Sequence, residues 1–273
     1  MSNHYHLVLR VDANRADAWS DNEVLERWTQ LFTGPDLVRR YRQDPTVFDR
    51  PMQARIALYV QEYRQRLQDI SWFMRVLNES IARMANKEDG VKGRFWEGRF
   101  KSQALLDEQA IIAVMAYVDL NPVRAGMADS IPASDYTSAQ RRITGQTGPS
   151  LTADDNAGKH TLTGTPLAEQ PLALLMPFDP GGQLASGIPF SLTDYLELVD
   201  YVGRVVHPNK RGVIPPQTPN LMAQLGLTHQ WVQDLAEGRW LQGFGWAIGT
   251  AQHLKQARPQ RMKGMGKACA LVA

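Results

Sequence analysis

Between about Gln53 and Asn86, apolar residues recur at three- and four-residue steps: Ile56, Tyr59, Val60, Tyr63, Leu67, Ile70, Phe73, Met74, Leu77 and Ile81. Only a helix brings such positions onto one face, so the longest patterned stretch of the chain is committed to helix, with a candidate break at Asp69-Ile-Ser71. Other segments follow suit. Ser20-Asp-Asn-Glu23 is a capping box that opens a helix through Val24, Leu25, Trp28, Leu31 and Phe32, ended by Gly34-Pro35. Asp107 is a ready N-cap for a helix that runs to Asn121, where Pro122 is expected to stop it. Ser191-Leu-Thr-Asp194 caps a further helix carrying Tyr195, Leu196, Val199 and Val202, and a last helical stretch passes through Leu221, Leu225, Trp231, Leu235 and Trp240.

One segment breaks the rule. Residues 3–11 alternate, with His4, His6, Val8 and Arg10 on one face and Tyr5, Leu7, Leu9 and Val11 on the other. This predicts a strand whose second face meets a core. In a chain that otherwise reads as helical, partners for that strand are hard to find downstream. From Thr144 to about Gly187 the composition shifts to Gly, Thr, Pro, Ser, Ala and Asp, which reads as a linker with Leu172–Met176 as a short docking element. The expected organisation is a domain over 1–143, a linker over 144–187 and a mainly helical domain over 188–273. The basic tail (Lys255, Arg258, Arg261, Lys263, Lys267) is expected to be loose.

Bulk properties exclude a few classes. A formal net charge of +2 is too small to announce a nucleic-acid partner, so local clustering must carry any such case. The single cysteine, Cys269, leaves no internal disulfide and fits a reducing compartment. No apolar run approaches the ~20 residues of a membrane span, so the expectation is no membrane and a cytoplasmic location.

Three sets of residues could do chemistry. His4 and His6, at i and i+2 on a strand, project from one face and are close enough to share a cation; the alternative is a coincidental pair on a polar face. Tyr117 and Asn121 lie one turn apart on one helix face. A phenol is a weak nucleophile near its free pKa of ~10, so without help Tyr117 reads as an amphipathic core residue. Asn121 before Pro122 reads as a turn former. In Lys92-Gly-Arg-Phe-Trp-Glu-Gly-Arg-Phe-Lys101 the cations Lys92, Arg94, Arg99 and Lys101 alternate with Phe95, Trp96 and Phe100. Such a segment can hold phosphates while its rings stack on unpaired bases. Otherwise it is a packed loop whose arginines pair with Glu97 and Glu108.

Taken together, Ser2-Asn-His-Tyr-His-Leu-Val-Leu9, Gly93-Arg-Phe-Trp-Glu-Gly-Arg-Phe-Lys101 and Tyr117-Val-Asp-Leu-Asn-Pro-Val-Arg-Ala-Gly126 resemble the REP-associated tyrosine transposases of the HUH single-tyrosine transposase superfamily. The resemblance covers about residues 1–143. It implies an α+β, ferredoxin-like catalytic core. It implies that His4, His6 and the Asn121 carbonyl bind Mg²⁺ or Mn²⁺, and that Tyr117 attacks DNA to give a 5′-phosphotyrosine. Lys92, Arg94, Phe95, Trp96, Arg99 and Lys101 would then hold single-stranded or hairpin DNA of a repetitive extragenic kind. The family's first strand and helix precede its His-x-His strand, whereas this chain begins there. The expectation is therefore translation from upstream of Met1, or a truncated, inactive DNA-binding copy. A metal-dependent hydrolase using His4 and His6 on a small substrate is the remaining reading, and the Arg-aromatic segment speaks against it.

Overall fold

The computed structural model describes residues 4–145, 175–184, 186–206, 220–238, 245–257 and 269–271. The chain divides into two compact units, one holding residues 9–100 and the other residues 4–8 together with the described residues from 101 onward. Helices dominate, and a small sheet makes the chain α+β. Among the described residues no helix is long and apolar enough to cross a membrane.

The unit of residues 9–100 contains α1 (Ala13–Asp17), α2 (Asp21–Leu31), α3 (Asp36–Gln43), a 3-10 turn (Pro45–Val47), α4 (Arg50–Leu67) and α5 (Ile70–Glu88). The capping box forms as expected. Ser20 Oγ accepts from the Glu23 N–H at 3.3 Å, and the Glu23 carboxylate accepts from the Ser20 N–H at 2.8 Å. The long helical pattern breaks where the sequence suggests. The Asp69 carboxylate accepts from the Ser71 and Trp72 N–H groups at 2.6 and 3.2 Å and so starts α5 anew. Val24, Leu25 and Trp28 of α2 meet Ile56, Val60 and Tyr63 of α4, with Val38 and Phe48 closing the core. Trp28 stacks on Tyr63 at 4.3 Å, and the Arg66 guanidinium lies over the Trp72 ring at 4.2 Å.

The second unit contains β1 (Ala104–Leu105), α6 (Glu108–Asp119), α7 (Asn121–Arg124), α8 (Ser138–Thr144), α9 (Leu192–Val206), α10 (Asn220–Gln224), α11 (His229–Glu237), β2 (Ala247–Thr250), α12 (Ala251–Ala257) and β3 (Cys269–Leu271). The three strands run parallel in the order β1-β2-β3, with Ala104 opposite Ala247 and Ile248 opposite Cys269. Asp107 joins sheet to helix. Its Oδ1 accepts from the Ala110 N–H at 2.8 Å to cap α6, and its Oδ2 accepts from the Thr250 N–H at 2.6 Å at the end of β2. Ile112, Ala113 and Ala116 of α6 then pack with Tyr195, Leu198, Val199 and Val202 of α9, Trp231 and Leu235 of α11, and Ile248 of β2. Each large apolar side chain buried there contributes about 1.5–3 kcal/mol of transfer free energy, so α6 is held on several sides.

Several expectations are corrected. Residues 4–11 are not a strand: they join no ladder among the described residues, and Leu7, Leu9 and Val11 are 47%, 44% and 50% exposed. Alternation makes a strand only where a neighbour completes the backbone ladder and offers a face to bury against, and among the described residues no such neighbour pairs with this segment. The domain boundaries move for a related reason. Residues 110–139 and 188–248 belong to one hydrophobic cluster, so neither 143 nor 188 separates two cores. The division falls near residue 100 instead. The end of the expected linker is packed: Phe178 bridges Ile188, and the Arg142 guanidinium donates to the Met176 carbonyl at 2.8 Å. The rest of that linker, 146–174, lies outside the described residues, and so do Leu172–Leu174 of the expected docking element. Pro122 does not stop the helical run but stands in the first turn of α7, where its missing N–H costs nothing. In the tail, Lys255 belongs to α12, while Arg258, Arg261, Lys263 and Lys267 lie outside the described residues. The strands named above, all parallel, do not by themselves form a ferredoxin-like sheet.

Candidate functional site

α6 carries Tyr117 in its last turn, and the chain continues through Leu120, still in the right-handed helical region, into α7. Asn121 and Arg124 therefore follow Tyr117 at i+4 and i+7, close to one face of a nearly continuous helical run. Asp119 points elsewhere. Its buried carboxylate accepts from Ser138 Oγ at 2.9 and 3.0 Å, from the Ala139 N–H at 3.2 Å and from the Tyr195 hydroxyl at 2.5 Å. This network fixes the roll of α6 against α8 and α9, and burial, outweighing those bonds, holds the Asp119 carboxyl above the usual carboxylate range.

The first residues of the chain meet that helix. The His4 and His6 rings lie edge to face with centroids 5.2 Å apart, and His6 lies edge to face with Tyr117 at 5.8 Å. The Arg124 guanidinium sits over the Tyr117 ring, 4.4 Å from its centroid. Burial first, then the charges of His4 and Arg124, pushes the His6 imidazole below its ordinary pKa. A neutral imidazole keeps a lone pair for a cation or a proton. Asn121 is 8% exposed, and its Nδ2 makes no hydrogen bond among the described residues. An asparagine amide can be turned end for end, which would put its carbonyl oxygen where the unbonded Nδ2 now stands.

No family model, curated protein or solved structure matches this chain. The site must be read from its own geometry.

Of the residues singled out by sequence, His4, His6 and Tyr117 come together, with Asn121 one turn on. Among the described residues no group of three or more His, Cys, Asp or Glu could hold a metal ion. Two imidazoles and an amide oxygen, if brought onto one ion, would suit a divalent cation that completes its shell with water or phosphate oxygens, Mn²⁺ better than the strictly oxygen-seeking Mg²⁺.

Lys92, Arg94, Phe95, Trp96 and Arg99 belong to the other unit, in the loop after α5, whereas Lys101 opens the unit that holds Tyr117. The loop is tied to its own helix. Asn86 Nδ2 donates to the Gly93 carbonyl at 3.0 Å, Trp96 Nε1 to the Asn78 carbonyl at 2.9 Å and Arg94 Nε to the Trp96 carbonyl at 2.8 Å. Trp96 is half-buried, and its bond to Asn78 anchors the loop. Phe95, packed edge to face on Trp96 at 4.8 Å, remains 41% exposed. Lys92, Arg94, Arg99 and Lys101 are all exposed, and the alternative of a packed loop with Arg94 and Arg99 paired to Glu97 and Glu108 does not form.

Sequence reasoning missed two residues here. Arg124 was signalled by its i+7 spacing from Tyr117. Gly238, the cap of α11, was signalled by nothing local. Its φ is +62°, and a Cβ there would stand 2.9 Å from Tyr117 Cε2 and 3.1 Å from Arg124 Nη2, so its backbone closes against the pair. At the N-terminal end of α6 lies a separate open cavity of about 380 Å³, lined by Asp107, Glu108, Gln224, Thr250 and His253 among others. Its His253 Nδ1 is 2.8 Å from Thr250 Oγ1 and 3.1 Å from Asp107 Oδ2, which employs the histidine in securing the cap of α6.

Proposed function

We propose that this protein is a DNA strand transferase related to the REP-associated tyrosine transposases of the HUH single-tyrosine superfamily, with Tyr117 as its nucleophile. The observation that carries the reading is the approach of His6, with His4 beside it, to the ring of Tyr117 from the far end of the sequence. The exposed Arg94, Arg99 and Phe95 loop supports single-stranded or hairpin DNA as the substrate, because cations and an open ring face suit phosphates and unpaired bases. The family's ferredoxin-like core belongs to the same proposal.

In this reading the Tyr117 hydroxyl oxygen attacks the phosphorus in line as its proton departs, and the bond from phosphorus to the 3′ oxygen breaks. The products are a 5′-phosphotyrosine and a 3′-hydroxyl. The linkage keeps the energy of the ester, so a later 3′-hydroxyl can reverse the step and rejoin strands without ATP. Mg²⁺ or Mn²⁺ held by His4, His6 and the Asn121 carbonyl would supply Lewis-acid polarisation of a phosphoryl oxygen. The His6 ring, edge to face with the Tyr117 ring, stands beside the nucleophile.

A second reading is a DNA-binding protein without strand cleavage. It is favoured by the non-strand conformation of residues 4–11 and by the lack, among the described residues, of a three-member group of metal-binding acids and histidines. One experiment separates the two. The protein incubated with hairpin-bearing single-stranded DNA and Mn²⁺ or Mg²⁺ should form a denaturation-resistant covalent adduct that Tyr117→Phe abolishes while DNA binding persists. Binding without any adduct supports the second reading, and an adduct that survives in Tyr117→Phe moves the nucleophile to Tyr136, which is exposed.

A further inference from the structure

Arg124 is half-buried and forms no ion pair among the described residues. Among the described residues the compensation for this guanidinium, partly removed from water, is an aromatic face, and a ring quadrupole returns less than an anion does. The nearest acid in sequence on its own helical run, Asp119, is turned into the core and occupied by Ser138, Ala139 and Tyr195. The groups that do face the pair are Tyr117, the His6 imidazole and the Gly238 backbone. The site is therefore lined by a fixed cation, two imidazoles and a phenol.

The cation is also held in place. Tyr117 packs against the hydrophobic cluster shared by α6, α9 and α11. Gly238 approaches the Tyr117–Arg124 stack so closely that no side chain fits between. That packing restricts where the guanidinium can go, and a planar fork already fixed in orientation loses little freedom when it binds two oxygens at once.

We propose that Arg124 is the anion contact of this site, receiving the non-bridging oxygens of a phosphodiester beside the Tyr117 hydroxyl. The inference rests on the strand-transfer reading above and names the group that holds its substrate. As the bond from Tyr117 Oη to phosphorus forms and the bond to the 3′ oxygen breaks, charge grows on the equatorial oxygens, so a fixed cation there stabilises the transition state more than the ground state. The phenol proton is released, and the departing 3′ oxygen takes up a proton to become a hydroxyl.

The test uses the full chain with two probes, inorganic phosphate followed by calorimetry and a short single-stranded oligonucleotide followed by fluorescence anisotropy across a salt series. Arg124→Gln should weaken phosphate binding about ten- to a hundredfold, the range for losing a charge-assisted hydrogen-bonded contact. On the oligonucleotide it should reduce the slope of log affinity against log salt by about 0.7, one phosphate contact on a single strand. Arg124→Lys, which keeps the charge and loses the fork, should fall between the two. Circular dichroism checks the fold, and should Arg124→Gln unfold, Arg124→Lys alone decides. Phosphate affinity and salt slope unchanged in a folded variant overturn the proposal. Phosphate binding that depends on Arg124 in a protein indifferent to DNA keeps the anion site and removes the strand-transfer reading. Adduct formation on DNA at full rate and affinity in Arg124→Gln does the reverse.

Discussion

Tyr195→Phe deletes one oxygen from the buried network that orients the helix bearing Tyr117. The hydroxyl donates to Asp119 at 2.5 Å in surroundings where both residues are fully buried, and the ring remains packed against Phe178 at 5.3 Å. The substitution therefore leaves the shape of the core nearly unchanged and removes a single charge-assisted bond. Ser138 Oγ and the Ala139 N–H still serve the carboxylate, so the charge is under-satisfied rather than stranded. The expected loss with Asp119 ionised is about 1.5–3 kcal/mol, against about 1 kcal/mol for a bond between neutral partners. Burial pushes the Asp119 carboxyl up, ahead of the lowering by Tyr195, Ser138 and Ala139. Its contribution to stability is thus fully present below the ordinary carboxylate pKa and is lost as pH rises through the higher folded value. Removing the Tyr195 bond raises that value further, so the variant should fall furthest behind the parent above it and least at acid pH. Amide hydrogen exchange of the α6 segment by mass spectrometry reads this separately from the other unit, with exchange faster by about ten- to a hundredfold at neutral pH. An equal effect on both sides of the titration, or none, would refute the claim that this hydroxyl bonds a buried carboxylate.

In the loop after α5, Arg94→Gln and Arg99→Gln should each weaken single-strand binding and flatten its salt dependence, whereas Phe95→Ala should cost about 1–3 kcal/mol of affinity with the slope unchanged. Trp96→Ala should instead loosen the loop through loss of its bond to Asn78, read as faster exchange of residues 92–100; equal slopes for all four variants would mean the loop is not a DNA surface. Ser20→Ala removes the hydroxyl half of the α2 capping box, leaving the backbone N–H of residue 20 bonded to the Glu23 carboxylate, and should lower the stability of the unit of residues 9–100 by about 1 kcal/mol in urea unfolding; no change would show that half to be dispensable.

Helix starts were legible in the sequence because they are local. Ser20, Asp69 and Asp107 each satisfy N–H groups two or three residues on, and no distant residue is needed to make the bond. The apolar spacing of α2 and α4 likewise announced which faces would be buried. The same spacing makes Tyr117, Asn121 and, one turn further on, Arg124 neighbours from the sequence alone. Strands obeyed a different rule. Residues 4–11 alternate as a strand should, yet alternation describes only one side of a ladder, and among the described residues no neighbouring strand completes it. Ala247–Thr250 has no such signature and is a strand because Ala104 and Cys269 bring neighbours to it from opposite ends of the unit. The placement of His6 against Tyr117, the bond from Tyr195 to Asp119 and the approach of Gly238 to the Tyr117–Arg124 stack were decided by the tertiary structure alone. Each joins residues far apart in the chain, and their meeting depends on how a shared core packs, which no window of sequence contains.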